Sequence, residues 1–187
     1  SRAVSLSIAH ETDGTRLMIT VFGSINMDLI ATTQRLPKPG ETVSGTGFST
    51  AAGGKGANQA LAARRAGATV RMSGAVGRDG FAEPALALLK QAGTDLADVK
   101  HTDEPTGTAL ILVGADGENM IAVVPGANGT MTAADADAAI ARLSPGDIVM
   151  LQFEIPVPAV ERMLTAAREK GVTTVLNRAP LIADAAR

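Results

Sequence analysis

Side chains able to handle a polar ligand are concentrated at a few places: Asn26 and Asp28, Lys55 and Asn58, Glu154, and Asn177. Amides, carboxylates and one ammonium group together suit a polyhydroxyl ligand. Each hydroxyl both donates and accepts, so its site must offer both kinds of partner. Asp28 and Glu154 can accept in charge-assisted bonds, which a hydrocarbon ligand could not use. Lys55 and Asn58 lie three apart and can project to the same side of a first helical turn. Each group also has a plainer reading when taken alone. Asn26 and Asp28 could brace a turn. Glu154 could cap a helix that begins near Pro158. Asp79 reads first as a cap of the helix after it, ahead of a ligand role for Arg78 or Asp79.

The stretch that joins these groups is Ala51-Ala52-Gly53-Gly54-Lys55-Gly56-Ala57-Asn58-Gln59-Ala60. Glycine lets the backbone take positive φ and lets a ligand approach the main chain. The Ala-rich run from Ala57 to Ala66 predicts a helix, stopped by Gly67. A glycine loop that feeds a helix N-terminus leaves N–H groups pointing at a partly positive helix end, a place for electron-rich oxygens. It is neither a Walker A loop, since Gly56 follows Lys55, nor a dinucleotide fingerprint. By itself it serves equally as a tight turn before a helix packed on a sheet.

The elements that must position these residues follow in chain order. Leu17 to Phe22 is an apolar run broken only by Thr20, as expected of a strand covered on both faces. Asn26 and Asp28 follow it in extended chain, so both point the same way. That places them beyond the carboxyl end of a buried strand, where open α/β sheets bind ligands. Pro37 to Thr42 is a rigid link, and Val43 to Thr50 a half-exposed strand. Thr69 to Val76 predicts a strand and Phe81 to Gln91 a helix, with Pro84 in its first turn. Thr108–Val113 and Met120–Val124 form a hairpin around Ala115–Glu118. Thr132 opens a helix to Leu143, Asp147 to Gln152 is a strand, and Pro156 and Pro158 start a helix to Lys170. Val172 to Leu176 is the last strand. Strands alternating with helices at this spacing predict an α/β fold with a parallel sheet. The segments near residues 29–50 and 106–125 are the exceptions, expected to pair as a small antiparallel lid. Residues 1–16 read as an added edge strand or as a leader with Met18 as the true start; residues 17–187 read as the α/β domain.

Composition narrows the partners. The 187 residues carry a net charge of −2, with no Cys, Trp or Tyr. A disulfide framework and cysteine-ligated metals are excluded, and a reducing cytoplasmic setting fits. No basic cluster or stacking platform recommends nucleic acid. No apolar run is long enough to cross a bilayer, and the N-terminus lacks a signal-peptide core, so no membrane partner is expected.

Gly23-Ser24-Ile25-Asn26-Met27-Asp28, Pro37-Lys38-Pro39-Gly40-Glu41-Thr42 and Gly53-Gly54-Lys55-Gly56-Ala57-Asn58-Gln59-Ala60 resemble the N-terminal signatures of the ribokinase-like carbohydrate kinases. Pro105-Thr106-Gly107-Thr108-Ala109, Gly117-Glu118-Asn119 and Gly126-Ala127-Asn128 are similar to the ribokinase branch in particular. Leu151-Gln152-Phe153-Glu154 and Asn177-Arg178-Ala179-Pro180 extend the resemblance, which runs from about Met18 to the end. It implies a parallel sheet sandwiched by helices, with a β lid that closes over a sugar and commonly clasps a second subunit as a homodimer. It implies transfer of the ATP γ-phosphate to the hydroxymethyl oxygen of a sugar, with D-ribose favoured. Matched residue by residue, Asn26, Asp28, Gly53, Gly54, Lys55, Asn58 and Glu154 would hold the sugar.

Arg178 stands where the family usually has proline, and Ala82 where glycine is common. The larger departure is that the family's Asn-x-x-Glu motif and its Gly-Ala-Gly-Asp loop, which carries the catalytic base, do not occur here. The resemblance implies ATP and Mg²⁺ as cofactors and admits a monovalent cation such as K⁺. It assigns no catalytic, nucleotide-binding or metal residue in this chain. The expectation is therefore a sugar-binding half that is inactive alone. The alternatives are a non-catalytic sugar-binding or dimer-forming module, and a kinase for another sugar or a nucleoside.

Overall fold

The computed structural model describes residues 17–180; residues 1–16, read above as leader or edge strand, lie outside them. The body is a five-stranded parallel sheet. Its strands are β1 (Met18–Phe22), β4 (Thr69–Gly77), β5 (Asp95–Thr102), β8 (Ile148–Leu151) and β9 (Thr173–Leu176), in spatial order β5-β4-β1-β8-β9. β1 is central, and Thr20, Val21 and Phe22 are fully buried, as expected of a strand covered on both faces.

Helices cover both faces. Helices α1 (Lys55–Arg65) and α2 (Ala82–Gln91) pack with Val21, Ile25, Val70, Met72 and Val76 into one core cluster. On the other face α3 (Ala133–Ala141) and α4 (Val157–Lys170) pack with Phe22, Val149, Leu151 and Val172. Fully burying a side chain such as Phe22 or Leu151 contributes about 1.5–3 kcal/mol. The helix signals act as their chemistry dictates. Thr132 and Asp135 form a reciprocal capping box on α3. Gly171 ends α4 in the left-handed conformation at φ 72°. Helix α1 starts at Lys55 rather than Ala57, so Lys55 itself occupies the first turn.

The N-cap position of α2 is Phe81, without a side-chain cap bond, and Asp79 holds the helix start from two residues before it. Its Oδ1 accepts from the backbone of Phe81 and Ala82 and from Thr106 Oγ1, while Oδ2 accepts from Thr106 N. The α2 start is thereby tied to the segment that opens the hairpin of the second sheet. β5 is an element the residue pattern did not announce, because Asp95 to Thr102 contains no apolar run.

The second sheet holds β2 (Asn26–Thr33), β3 (Gly45–Gly53), β6 (Gly107–Gly114) and β7 (Asn119–Val124), in order β3-β2-β6-β7. It is mixed rather than antiparallel, which corrects the expectation. The β2–β3 and β6–β7 pairs are antiparallel, but β2 and β6 run parallel. The reason is topological. Hairpins give antiparallel neighbours, whereas β2 and β6 are joined through β3, α1, β4, α2 and β5, and both leave the body in the same direction.

Candidate functional site

In the body sheet the chain leaves β1 and adds β4 on one side, while β8 lies on the other. This reversal is where open α/β sheets form a crevice outside their strand ends. Ser24 to Asn26 issue from the end of β1, and Gln152 to Glu154 from the end of β8. The β2–β6 register puts Asp28 opposite Ala109, and β6–β7 puts Ala109 opposite Val123 and Ile111 opposite Ile121. Period-two alternation then turns Asn26, Asp28, Ala109, Ile111, Ile121 and Val123 to one face. That face roofs a cavity of about 670 Å³.

Asn26, Asp28, Gly54, Lys55, Asn58 and Glu154 all line this cavity. Gly53 does not line it, and neither does Asn177, whose backbone N–H continues the ladder to Leu151 O. Gly53 acts from behind: a Cβ there would lie 2.4–2.5 Å from the Asp28 carboxylate atoms, so the glycine makes room for that group. Gly54 has φ 91°, and a Cβ on it would meet Asn26 N at 2.8 Å. A Cβ on Gly56 would strike the Gly23-Ser24 backbone at 2.6–2.7 Å. The three glycines therefore let α1 begin in contact with the turn that carries Asn26 and Asp28.

Glu154 does not cap α4, whose N-cap is Pro156 without a side-chain bond. Its Oε2 accepts from Ser24 Oγ at 2.7 Å and from Lys55 N at 2.9 Å, so it closes the N-terminus of α1 from across the cleft. Ser24 Oγ in turn accepts from Gly56 N at 3.2 Å. Glu154 Oε1 lies 3.6 Å from Lys55 Nζ. One oxygen is thus committed to the fold, and the other stands beside the ammonium at the cavity. Burial pushes the Asp28 carboxyl above its ordinary value, and the nearby negative Glu154 pushes it the same way. Two carboxylates, an ammonium and two amides converge on one space.

The sequence reading did not pick out the apolar wall of the cavity. Ile111, Ile121 and Val123 line it from the second sheet, and Phe153, Ile155 and Val157 from the body. Ile121 and Val123 lie on a strand that is exposed throughout, so their alternation marked a hairpin without saying what its inner face covers. Among the described residues no group of three or more His, Asp or Glu converges as a metal site. No helix there is long and apolar enough to cross a membrane.

The family model described as pfkB family carbohydrate kinase matches residues 16–187. The ribokinase of Bacillus subtilis is 45% identical over 165 residues, 87% of this chain and 55% of that protein. A solved structure of ribokinase from Cryptococcus neoformans in complex with ADP superposes with a TM-score of 0.77 at 36% identity, covering 90% of this chain and 52% of that one. Arabidopsis thaliana ribokinase, solved with ribose and ATP, gives 0.74 at 31%, covering 88% and 54%. The chain spans about half the length of these relatives. With the family model matched along nearly its whole length, the chain belongs to the pfkB family of carbohydrate kinases.

Proposed function

We propose that this chain forms the acceptor side of an ATP-dependent sugar kinase and that its sugar is D-ribose. The observation that carries the reading is the convergence of Asn26, Asp28, Lys55, Asn58 and Glu154 on one cavity with a partly apolar wall. Asp28 and Glu154 accept from sugar hydroxyls, while Asn26, Lys55 and Asn58 donate to them; Gly53 and Gly54 hold the loop close enough for this. The aliphatic lid residues cover the C–H faces of the ring and exclude water. The ribokinases of Bacillus, Cryptococcus and Arabidopsis support ribose over other acceptors.

Phosphoryl transfer rests on aligning the acceptor oxygen and stabilising developing charge. In this reading the described residues do the first: they hold the sugar with its hydroxymethyl oxygen facing the phosphate donor. ATP, present in the solved Arabidopsis relative, and Mg²⁺, implied by the family resemblance, would supply the phosphoryl group and its charge neutralisation. The described residues offer Mg²⁺ no carboxylate cluster, so no step is assigned to them there. We assign the chain no base, and read it as binding sugar without transferring phosphate by itself. The face of the lid opposite the cavity carries Phe48, Leu110, Met120 and Val124, all substantially exposed. A second copy of the chain is the proposed partner for that face, in a cytoplasmic homodimer.

The test is calorimetric titration of the chain with D-ribose, followed by an assay for ADP release with ribose and Mg-ATP. Saturable ribose binding without ADP release is expected. Absence of ribose binding overturns the substrate; ribose-dependent ADP release by this polypeptide overturns the division of labour.

A further inference from the structure

Asn128 lies outside the cavity lining and is 1% exposed, yet its side chain is fully engaged. Its Oδ1 accepts from Ile25 N at 2.9 Å. Its Nδ2 donates to Ile25 O at 3.0 Å and to Asn26 Oδ1 at 2.7 Å. The polarity of this chain of bonds is not free. A backbone N–H can only donate and a backbone carbonyl can only accept. Ile25 therefore fixes which end of the Asn128 amide is oxygen. The Asn128 nitrogen, once fixed, demands an acceptor from Asn26, so the Asn26 carbonyl must turn inward. A Cβ on Gly107 would lie 2.2 Å from Asn128 Nδ2 and 2.5 Å from Asn26 Oδ1, so only glycine there leaves room for the junction.

We propose that Asn128 is a positioning residue that sets the polarity of Asn26, so that the cavity presents an amide N–H donor at that point and never a carbonyl. Asn26 Nδ2 has no protein partner among the described residues, and Asn26 lines the cavity. Two residues along the same strand face, Asp28 presents only acceptors when ionised. Donor beside acceptor selects a ligand group that has both a lone pair and a proton, namely a hydroxyl, over a carbonyl or an ether. The consequence for ligand choice rests on the sugar reading above; the polarity itself does not.

The experiment pairs Asn128→Asp with Asn26→Ala and their double variant, using D-ribose as the probe. The isosteric aspartate removes the donor, and Asn26 then loses its reason to point its carbonyl inward. Asn128→Asp is expected to weaken ribose binding about tenfold, the size of one hydrogen bond. In the Asn26→Ala background the same change should cost less than about twofold. An equal loss in both backgrounds would mean that Asn128 acts through the fold alone, and would overturn the proposal.

Side-chain amide NMR of the ligand-free protein supplies a readout independent of ribose. In the wild type the Asn128 amide protons should exchange slowly and those of Asn26 quickly, and Asn128→Asp should shift the Asn26 signals. Reversed exchange rates, or unmoved Asn26 signals, overturn the proposal. If wild-type protein binds no ribose but shows the expected amide pattern, the sugar reading fails and the polarity stands. If Asn128→Asp does not fold, the wild-type exchange rates decide.

Discussion

Glu154 makes the hardest claim on the structure, because one carboxylate is asked to hold a helix start and to face a ligand. Replacing it with alanine removes the acceptor of two bonds, from Ser24 Oγ at 2.7 Å and Lys55 N at 2.9 Å. A hydrogen bond to a charged group contributes about 1.5–3 kcal/mol. The lower value is taken for each bond as a floor: Ser24 is fully buried and its hydroxyl proton loses its acceptor, while Lys55 lines the cavity. The loss for Glu154→Ala is then about 3 kcal/mol. In a domain of this size, 1 kcal/mol moves Tm by about 2–4 °C, so Tm should fall by about 6–12 °C. Glu154→Gln keeps one oxygen for both donors but loses the charge at the α1 N-terminus. That change costs about 1 kcal/mol, or about 2–4 °C. Both variants should lose ribose affinity. Thermal unfolding followed by circular dichroism at neutral pH, alongside ribose titration, reads both effects. An alanine variant melting within about 2 °C of wild type would refute the helix-closing role.

Asp28→Asn should stabilise the ligand-free protein while weakening ribose binding. The folded-state pKa of Asp28 lies above its unfolded value, so its ionised form carries a cost. That cost is absent below the ordinary value of 3.8, grows as pH rises from there to the raised folded value, and is full at neutral pH. The Tm gain should therefore appear at pH 7 and vanish in acid, as melting curves at both pH values would show. At the lid's outer loop Glu41 is paired with Arg35 and accepts from Lys38 N, which holds its carboxyl down at about 2. Carbon-detected NMR titration of Glu41 should give that midpoint, and an ordinary carboxylate midpoint would show that the pair does not persist in solution. Phe48→Lys on the outer face of the lid should convert the proposed dimer to a monomer in sedimentation velocity while leaving the circular dichroism spectrum unchanged; an unchanged sedimentation coefficient would remove that face from consideration.

What could be read from residues alone depended on how local the cause was. β8 announced itself by an unbroken apolar run, and β1 and β4 by runs that are mostly apolar despite Thr20, Arg71 and Ser73, as strands covered on both faces need. Helix α3 did so through Thr132 and α4 through Pro156, Pro158 and the closing Gly171, whose effects act within one turn. β5 stayed hidden because among the described residues it is an edge strand, paired only with β4 and half-buried, so Asp95 to Thr102 needs no such run. The parallel β2–β6 pair was also out of reach: each strand looks like one arm of a hairpin, and their shared direction comes from everything between them.

The same division runs through the site. Asn26, Asp28, Lys55 and Asn58 were legible because a strand end and a first helical turn orient them locally. Glu154 was legible as a charged group but not as the closure of α1, since its backbone partner at Lys55 lies 99 positions away. The glycines show the limit most clearly. Gly53, Gly54 and Gly56 look alike in the sequence, and flexibility would account for all of them equally. In the fold only Gly54 needs positive φ, while Gly53 yields space to a carboxylate and Gly56 to a neighbouring backbone. A substitution at Gly53 therefore strikes at Asp28, and one at Gly56 strikes at the seating of α1. Their shared spacing records a single requirement, that a helix N-terminus sit directly against the end of β1.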